Sequence, residues 1–320
     1  MSARIKQTRI IRWLLSVAMV VAGLSLTWAW GQVSRLAEPV AVEPAPQPSA
    51  LYAVWQPDRA DHNLLFRSSD GGTSWQPLVL PESAAPIIWV SDGGDRLALA
   101  MDDGALLVSQ DQGDSWTVAA EQLPILSMAW GEAGDLYLGT DRQGIQSLAT
   151  DGTLTTINGA PEELATSPVL DLAVVDGRLF AAIPGGLFFT DADPVSPDLD
   201  TSWLESSPVP GGLLKVAAIE RETVFAGTET SGVYRSTDAG ATWHPASAGL
   251  GLAAGQMVQI TALHVDPQEA GVLYATVNHV LGSTHVYASA AGTFATVDGG
   301  ASWQPLAGPT FPDARHASAL

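Results

Sequence analysis

Past residue 50 the chain alternates short apolar runs with polar, glycine-bearing turns. Ile125–Trp130 is followed by Leu136–Gly139, Val169–Val175 by Leu179–Ile183, and Ile260–Val265 by Val272–Val277, with Gly131, Gly134, Gly177 and Gly271 between the members of these pairs. Runs of this length bounded by turn residues read as β-strands, and glycine supplies the positive φ that tight hairpins require. After residue 30 no stretch of ten or more residues places apolar side chains at helical spacing. The pattern predicts an all-β body of hairpins with no globular helix.

A longer period overlies the hairpins. Ser68-Ser69-Asp70-Gly71-Gly72-Thr73-Ser74-Trp75 recurs as Ser109-Gln110-Asp111-Gln112-Gly113-Asp114-Ser115-Trp116, as Ser236-Thr237-Asp238-Ala239-Gly240-Ala241-Thr242-Trp243 and as Thr296-Val297-Asp298-Gly299-Gly300-Ala301-Ser302-Trp303. All fit Ser/Thr-x-Asp-x-Gly-x-Ser/Thr-Trp. Thr150-Asp151-Gly152-Thr153 keeps the turn without the Trp, while Thr190-Asp191 and Ser202-Trp203 read as one copy split by an insertion. Trp116 follows Trp75 by 41 residues and Trp243 follows Trp203 by 40, whereas Trp303 follows Trp243 by 60. A period near 40 is the length of a four-stranded propeller blade. Counting Asp70, Asp111, Asp151, Asp191, Asp238 and Asp298 gives six blades, beginning near Leu51 and spanning 51–320; seven remain open if 278–296 hides another. The first blade lacks an innermost strand before Leu51, which the tail around Ala314–Ala319 would supply to close the ring.

These copies resemble the Asp-box, or BNR, repeat, a family of β-propellers that includes sialidases, xyloglucanase-type glycoside hydrolases, sortilin-type receptors and photosystem II assembly factor-like proteins. The resemblance covers about 51–307 and implies that each box is the hairpin between the third and fourth strands of a blade. In that reading the aspartate accepts backbone N–H bonds, the glycine two positions on adopts positive φ, and the Trp packs back on its blade. Asp70, Trp75, Asp111, Trp116, Asp238, Trp243, Asp298 and Trp303 are therefore scaffold: one copy per blade distributes them around a rim.

Loops able to converge lie on the opposite face, where the second strand turns into the third. They are Asp102-Asp103-Gly104, Asp141-Arg142-Gln143-Gly144, Pro184-Gly185-Gly186, Glu229-Thr230-Ser231 and Asn278-His279. Asp103, Asp141, Arg142, Glu229, Asn278 and His279 are the candidate binding residues. Such short loops make a shallow surface rather than an enclosing pocket.

Charge narrows the partners. The net charge is −20, but Arg4, Lys6, Arg9, Arg12 and Arg35 all precede the first acid, Glu38, so nine basic residues face 34 acidic ones in the remainder, −25. That body repels phosphate backbones, which argues against nucleic acid and favours a basic protein or a neutral polysaccharide. The absence of cysteine removes disulfides, thiolate chemistry and Cys-based zinc sites. The six histidines are dispersed, and no metal or other cofactor is expected. Asp191, Asp193, Asp198 and Asp200 could gather around calcium but lack the glycine of an EF-type loop, so a solvated acidic loop is the reading preferred. No Gly-x-Ser-x-Gly elbow or phosphate-binding Gly-Lys-Ser/Thr loop occurs.

Residues 1–12 are basic and 13–30 carry no charge. Eighteen residues at a rise of 1.5 Å span about 27 Å, near the thickness of a bilayer core. Trp13, Trp28 and Trp30 sit at interfacial positions, and the basic cluster marks the cytoplasmic side. A retained anchor is the reading adopted; cleavage after Ala29-Trp30-Gly31 competes with it. Residues 31–50, with Pro39, Pro44, Pro46 and Pro48, form an extended linker to a propeller held outside the cytoplasm.

Sialidases of the resembling family carry an Arg-Ile-Pro signature and three arginines around the substrate carboxylate. This chain has no Arg-Ile-Pro, and Arg67 and Arg235 lie beside boxes. The expectation is a membrane-tethered, non-catalytic binding scaffold; the alternative is a glycoside hydrolase using a carboxylate pair on the propeller face.

Overall fold

In the computed structural model, which describes residues 50–55, 64–70, 74–81, 85–157, 159–190, 202–251, 257–266, 269, 271–281 and 286–306, the apolar runs become strands of six antiparallel sheets. Blade 1 holds β1 Leu51–Trp55, β2 Leu64–Ser68 and β3 Gln76–Leu78. Blade 2 holds β4 Ile87–Asp92, β5 Leu97–Met101, β6 Leu106–Ser109 and β7 Thr117–Ala120. Blade 3 holds β8 Ile125–Trp130, β9 Leu136–Thr140, β10 Ile145–Leu148 and β11 Leu154–Thr156. Blade 4 holds β12 Asp171–Val175, β13 Arg178–Ile183, β14 Gly186–Thr190 and β15 Trp203–Glu205. Blade 5 holds β16 Leu213–Ala218, β17 Val224–Thr228, β18 Val233–Ser236 and β19 His244–Pro245. Blade 6 holds β20 Met257–Val265, β21 Leu273–Leu281, β22 Val286–Thr296 and β23 Gln304–Pro305.

The first strands β4, β8, β12, β16 and β20 adjoin in turn around the axis, making a six-bladed propeller. Blades 2 to 5 are each sandwiched between two others, so their second strands bury both faces. Every residue of β5, β9, β13 and β17 is buried, while the rim strands β3, β11 and β19 are largely exposed. That explains why inner strands read as near-continuous apolar runs rather than as alternation. Five apolar clusters fill the interfaces between successive blades from 1 to 6, with Leu65, Leu97 and Leu99 in the first and Phe225, Ile260 and Trp303 in the last.

Arginines tie the blades together on the Asp-box side. Arg67 donates to the carbonyl of Gln112 at 3.0 Å and pairs with Asp114 at 3.0 Å. Arg96 donates to the Gly134 carbonyl while lying over the Trp130 ring, and Arg178 donates to the Arg221 carbonyl at 2.7 Å while lying over Phe189.

Two expectations change. A five-residue helix, α1 Glu162–Thr166, interrupts the connection between β11 and β12; it buries only Leu164, too little to leave a helical period in the sequence. The stretch 278–296 holds no seventh blade, because it belongs to the β21–β22 hairpin of blade 6. Among the described residues blade 1 has three strands, as the sequence predicts. The closing tail, the segment 1–49 and the Asp191–Asp200 loop lie outside the described residues, among which no helix is long and apolar enough to cross a membrane.

Candidate functional site

The boxes come first because they fix which face is free. In the second, Ser109 Oγ donates to Asp111 Oδ1 at 2.7 Å and accepts from Gly113 N at 2.7 Å. Asp111 Oδ1 accepts from Ser115 N at 2.8 Å and Oδ2 from Ser115 Oγ at 2.6 Å. The same bonds recur around Asp238, with Thr242 as donor, and around Asp298, with Ser302; those to the two carboxylates agree within 0.1 Å, and the glycine N–H bond lengthens to 3.0 Å at Gly300. Asp70 accepts likewise from Ser74. The hydroxyls of Ser115, Thr242 and Ser302, followed by those of Ser109, Ser236 and Thr296, hold the Asp111, Asp238 and Asp298 carboxyls down to about 2. Gly113 and Gly240 have φ of 96° and 89°, and a Cβ there would strike Leu78 or Ser206 of the preceding blade. The degenerate copy keeps the Asp151 Oδ1 bond from Thr153 N at 2.8 Å.

The box tryptophans Trp116, Trp243 and Trp303 pack between blades rather than back on their own. Trp303 is 3% exposed in the core shared by blades 5 and 6 and donates to the Ala246 carbonyl at 2.7 Å. Trp243 donates to the Ser207 carbonyl at 3.0 Å across the blade 4–5 interface and is only partly buried, so it is a weaker anchor than its motif suggests.

On the opposite face the loops are short and pinned. The backbone N–H groups of Asp102, Asp141 and Glu229 donate to Pro86, Pro124 and Gly212 carbonyls, each at 2.8 Å. Thr140 and Thr228 brace their loops identically, donating to Gly144 and Gly232 carbonyls at 2.7 and 2.8 Å. Asp141 and Arg142 pair on one loop at 3.6 Å, both well exposed. Asn278 and His279 are not turn residues: β21 carries them onward, paired with Ala290 and Ser289, and His279 Nε2 lies 3.3 Å from the Leu250 carbonyl. With β21 four residues longer than β9, blade 6 stands about 13 Å taller on this face. The six candidates are thus spread over blades 2, 3, 5 and 6. Asp103 lines a cavity of ≈330 Å³ at the edge of the blade 1–2 interface. A cavity of ≈570 Å³ lies at the same interface on the Asp-box side, lined by Arg67, Asp95, Asp111 and Asp114 among others.

One group escaped the sequence reading. Lys215 of β16 lies 3.9 Å from Asp171 Oδ1 of β12 and 5.0 Å from the centre of the Trp89 ring on β4. Asp171 Oδ2 also accepts from Val216 N at 2.9 Å. Blades 2 and 5 stand opposite each other in a ring of six, so Lys215 reaches across the axis and obstructs the bore. Burial pushes the Asp171 carboxyl up, against the pull of Lys215. His264 of β20 keeps an exposed surface yet is surrounded by protein, and this burial, then the Lys215 ammonium, lowers its pKa. The available signal was composition: Lys215 is the one lysine after Lys6, and it interrupts an apolar inner strand.

Fold and boxes together define an Asp-box β-propeller. The BNR/Asp-box repeat family matches residues 234–245, the box of blade 5. The structure is similar to YCF48 from Cyanidioschyzon merolae, with 18% identity, a TM-score of 0.55 and coverage of 72% of this chain and 74% of that one. It is similar also to the GH74 enzyme of Niastella koreensis, at 16% identity and TM-score 0.58, covering 81% of this chain but 45% of that one. U3-55K aligns at 13% identity and TM-score 0.51, covering 72% of this chain and 73% of that one. At these identities the likeness shows the fold alone. No curated protein matches the sequence.

Proposed function

We propose that this propeller is a non-catalytic binding scaffold for a protein partner, held outside the cytoplasm by residues 13–30. The observation that carries the reading is the spread of the face acids Asp103, Asp141 and Glu229 over three blades on short, pinned loops. Carboxylates placed so far apart serve a broad docking surface better than the pair, roughly 5–10 Å apart, that glycoside cleavage needs. The obstruction of the bore by Lys215 supports the same reading, since binding is left to the outer faces. The net charge of −25 after Arg35 favours a basic partner.

The experiment incubates the purified protein with a panel of sialosides, β-glucans and xyloglucan, and measures reducing ends. No turnover is expected. Turnover abolished by Asp103→Asn, Asp141→Asn or Glu229→Gln would replace this reading with the glycoside hydrolase. Cell fractionation tests the tether: the full chain should sediment with membranes and resist alkaline extraction, whereas a mature chain starting at Gln32 would mean a cleaved signal.

A further inference from the structure

The ≈330 Å³ cavity beside Asp103 is amphipathic. Its floor is Met101 and Leu107, 2% and 3% exposed, and its sides are Pro81 and Val118. Val118 is 55% exposed on the rim strand β7, and Val79, two residues before Pro81, is 82% exposed. One of the largest apolar exposures on the described surface therefore lines the groove, and another lies two residues along the chain from it. Asp103 and Glu121 stand in its lining. Asp103 Oδ1 accepts from Ala105 N at 3.0 Å, leaving Oδ2 open, and among the described residues neither carboxylate has a cationic partner. Gln122, also in the lining, is held at φ 57°, a conformation costly for a residue with a Cβ.

Resting on the scaffold reading, we propose that this groove is the subsite for one lysine or arginine on an extended segment of the partner protein. A long basic side chain has the matching two-part character: methylenes to lie on Met101, Leu107 and Val118, and a cationic head to meet Asp103 and Glu121. The volume is at the low end for ligand pockets, room for one long side chain and not for an oligosaccharide. The segment is extended because, among the described residues, β7 pairs with β6 alone, leaving its outer edge for backbone hydrogen bonds beside Val118. An aliphatic residue next to the basic one would cover Val118 and Val79.

The test selects a displayed library of random 12-residue peptides on the full chain in detergent and measures affinities of the enriched peptides by fluorescence anisotropy. Enriched sequences should carry Lys or Arg beside an aliphatic residue. Their affinity should fall at least tenfold for the Asp103→Asn/Glu121→Gln double variant and several-fold for Val118→Ser. It should stay within twofold for Glu222→Gln, which removes one exposed charge from the Asp-box side. All three variants should melt with the parent, so that loss of binding is not loss of fold. Peptides without a basic residue, basic peptides indifferent to the groove variants, an equal loss with Glu222→Gln, or no enrichment at all would each overturn the subsite while leaving the scaffold reading intact. Glycoside turnover by the same preparation would overturn the scaffold reading itself.

Discussion

Trp303 and Trp243 occupy the same motif position in adjacent blades, yet they should differ in what their truncation costs. Trp303 is 3% exposed, packs in the core shared by blades 5 and 6 and satisfies the Ala246 carbonyl at 2.7 Å. Replacing a fully buried large aromatic by alanine costs about 3–5 kcal/mol. The orphaned carbonyl adds about 1 kcal/mol more. Trp243 is only partly buried, with about two-thirds or more of its surface out of water, so Trp243→Ala should cost less, about 2–4 kcal/mol including the bond to the Ser207 carbonyl. Trp303→Phe separates the two terms, since it keeps most of the packing and loses the hydrogen bond, about 1–2 kcal/mol. The assay is urea unfolding of a chain beginning at Pro48, followed by far-UV circular dichroism, with the slope checked for two-state behaviour. A Trp243→Ala loss equal to or above that of Trp303→Ala would refute the assignment of the anchor to the buried indole.

Three further outcomes follow from the electrostatics. The Asp111, Asp238 and Asp298 carboxyls sit at about 2, below the unfolded value near 3.9, so their stabilisation is present above about pH 4 and is lost as pH falls toward 2; Ser115→Ala with Thr242→Val should flatten that acid limb of a stability–pH curve. Burial raises Asp92 to about 6, so its ionisation opposes folding as pH rises through that value; Asp92→Asn should raise the unfolding free energy at pH 7.5 by on the order of 1–2 kcal/mol and leave it unchanged at pH 3, read from urea unfolding. Lys215→Met should cost about 2–4 kcal/mol by stranding the buried Asp171 carboxylate, and adding Asp171→Asn should recover part of that loss in a double-mutant cycle.

The strands were legible because those nearest the axis are apolar and at least partly buried along most of their length: Ile125–Trp130, read from the sequence as one run, is β8 to the residue. The boxes were legible because their bonds are local, linking residues two or four positions apart around Asp111 and Asp238. What escaped was non-local or small. Helix α1 buries one leucine, which makes no periodicity. Asn278 and His279, two polar residues between Val277 and Val280, imitate a turn, yet blade 6 carries its hairpin through them. The direction in which a box Trp packs depends on the preceding blade, about forty residues away, as Trp243 and Ser207 show. The axial group joins Trp89, Asp171 and Lys215 only through ring closure, and no spacing in the sequence encodes that meeting.

The scaffold reading is tested most directly by photocrosslinking in the native cell, with a photoreactive residue placed singly at Asp103, Asp141 and Glu229 on the loop face and at Asp151 and Glu222 on the Asp-box side. The account predicts one discrete protein adduct shared by the loop-face positions, weakened at raised salt, and none from the Asp-box positions. Adducts arising only from Asp151 and Glu222, or no protein adduct from any loop-face position, would contradict it.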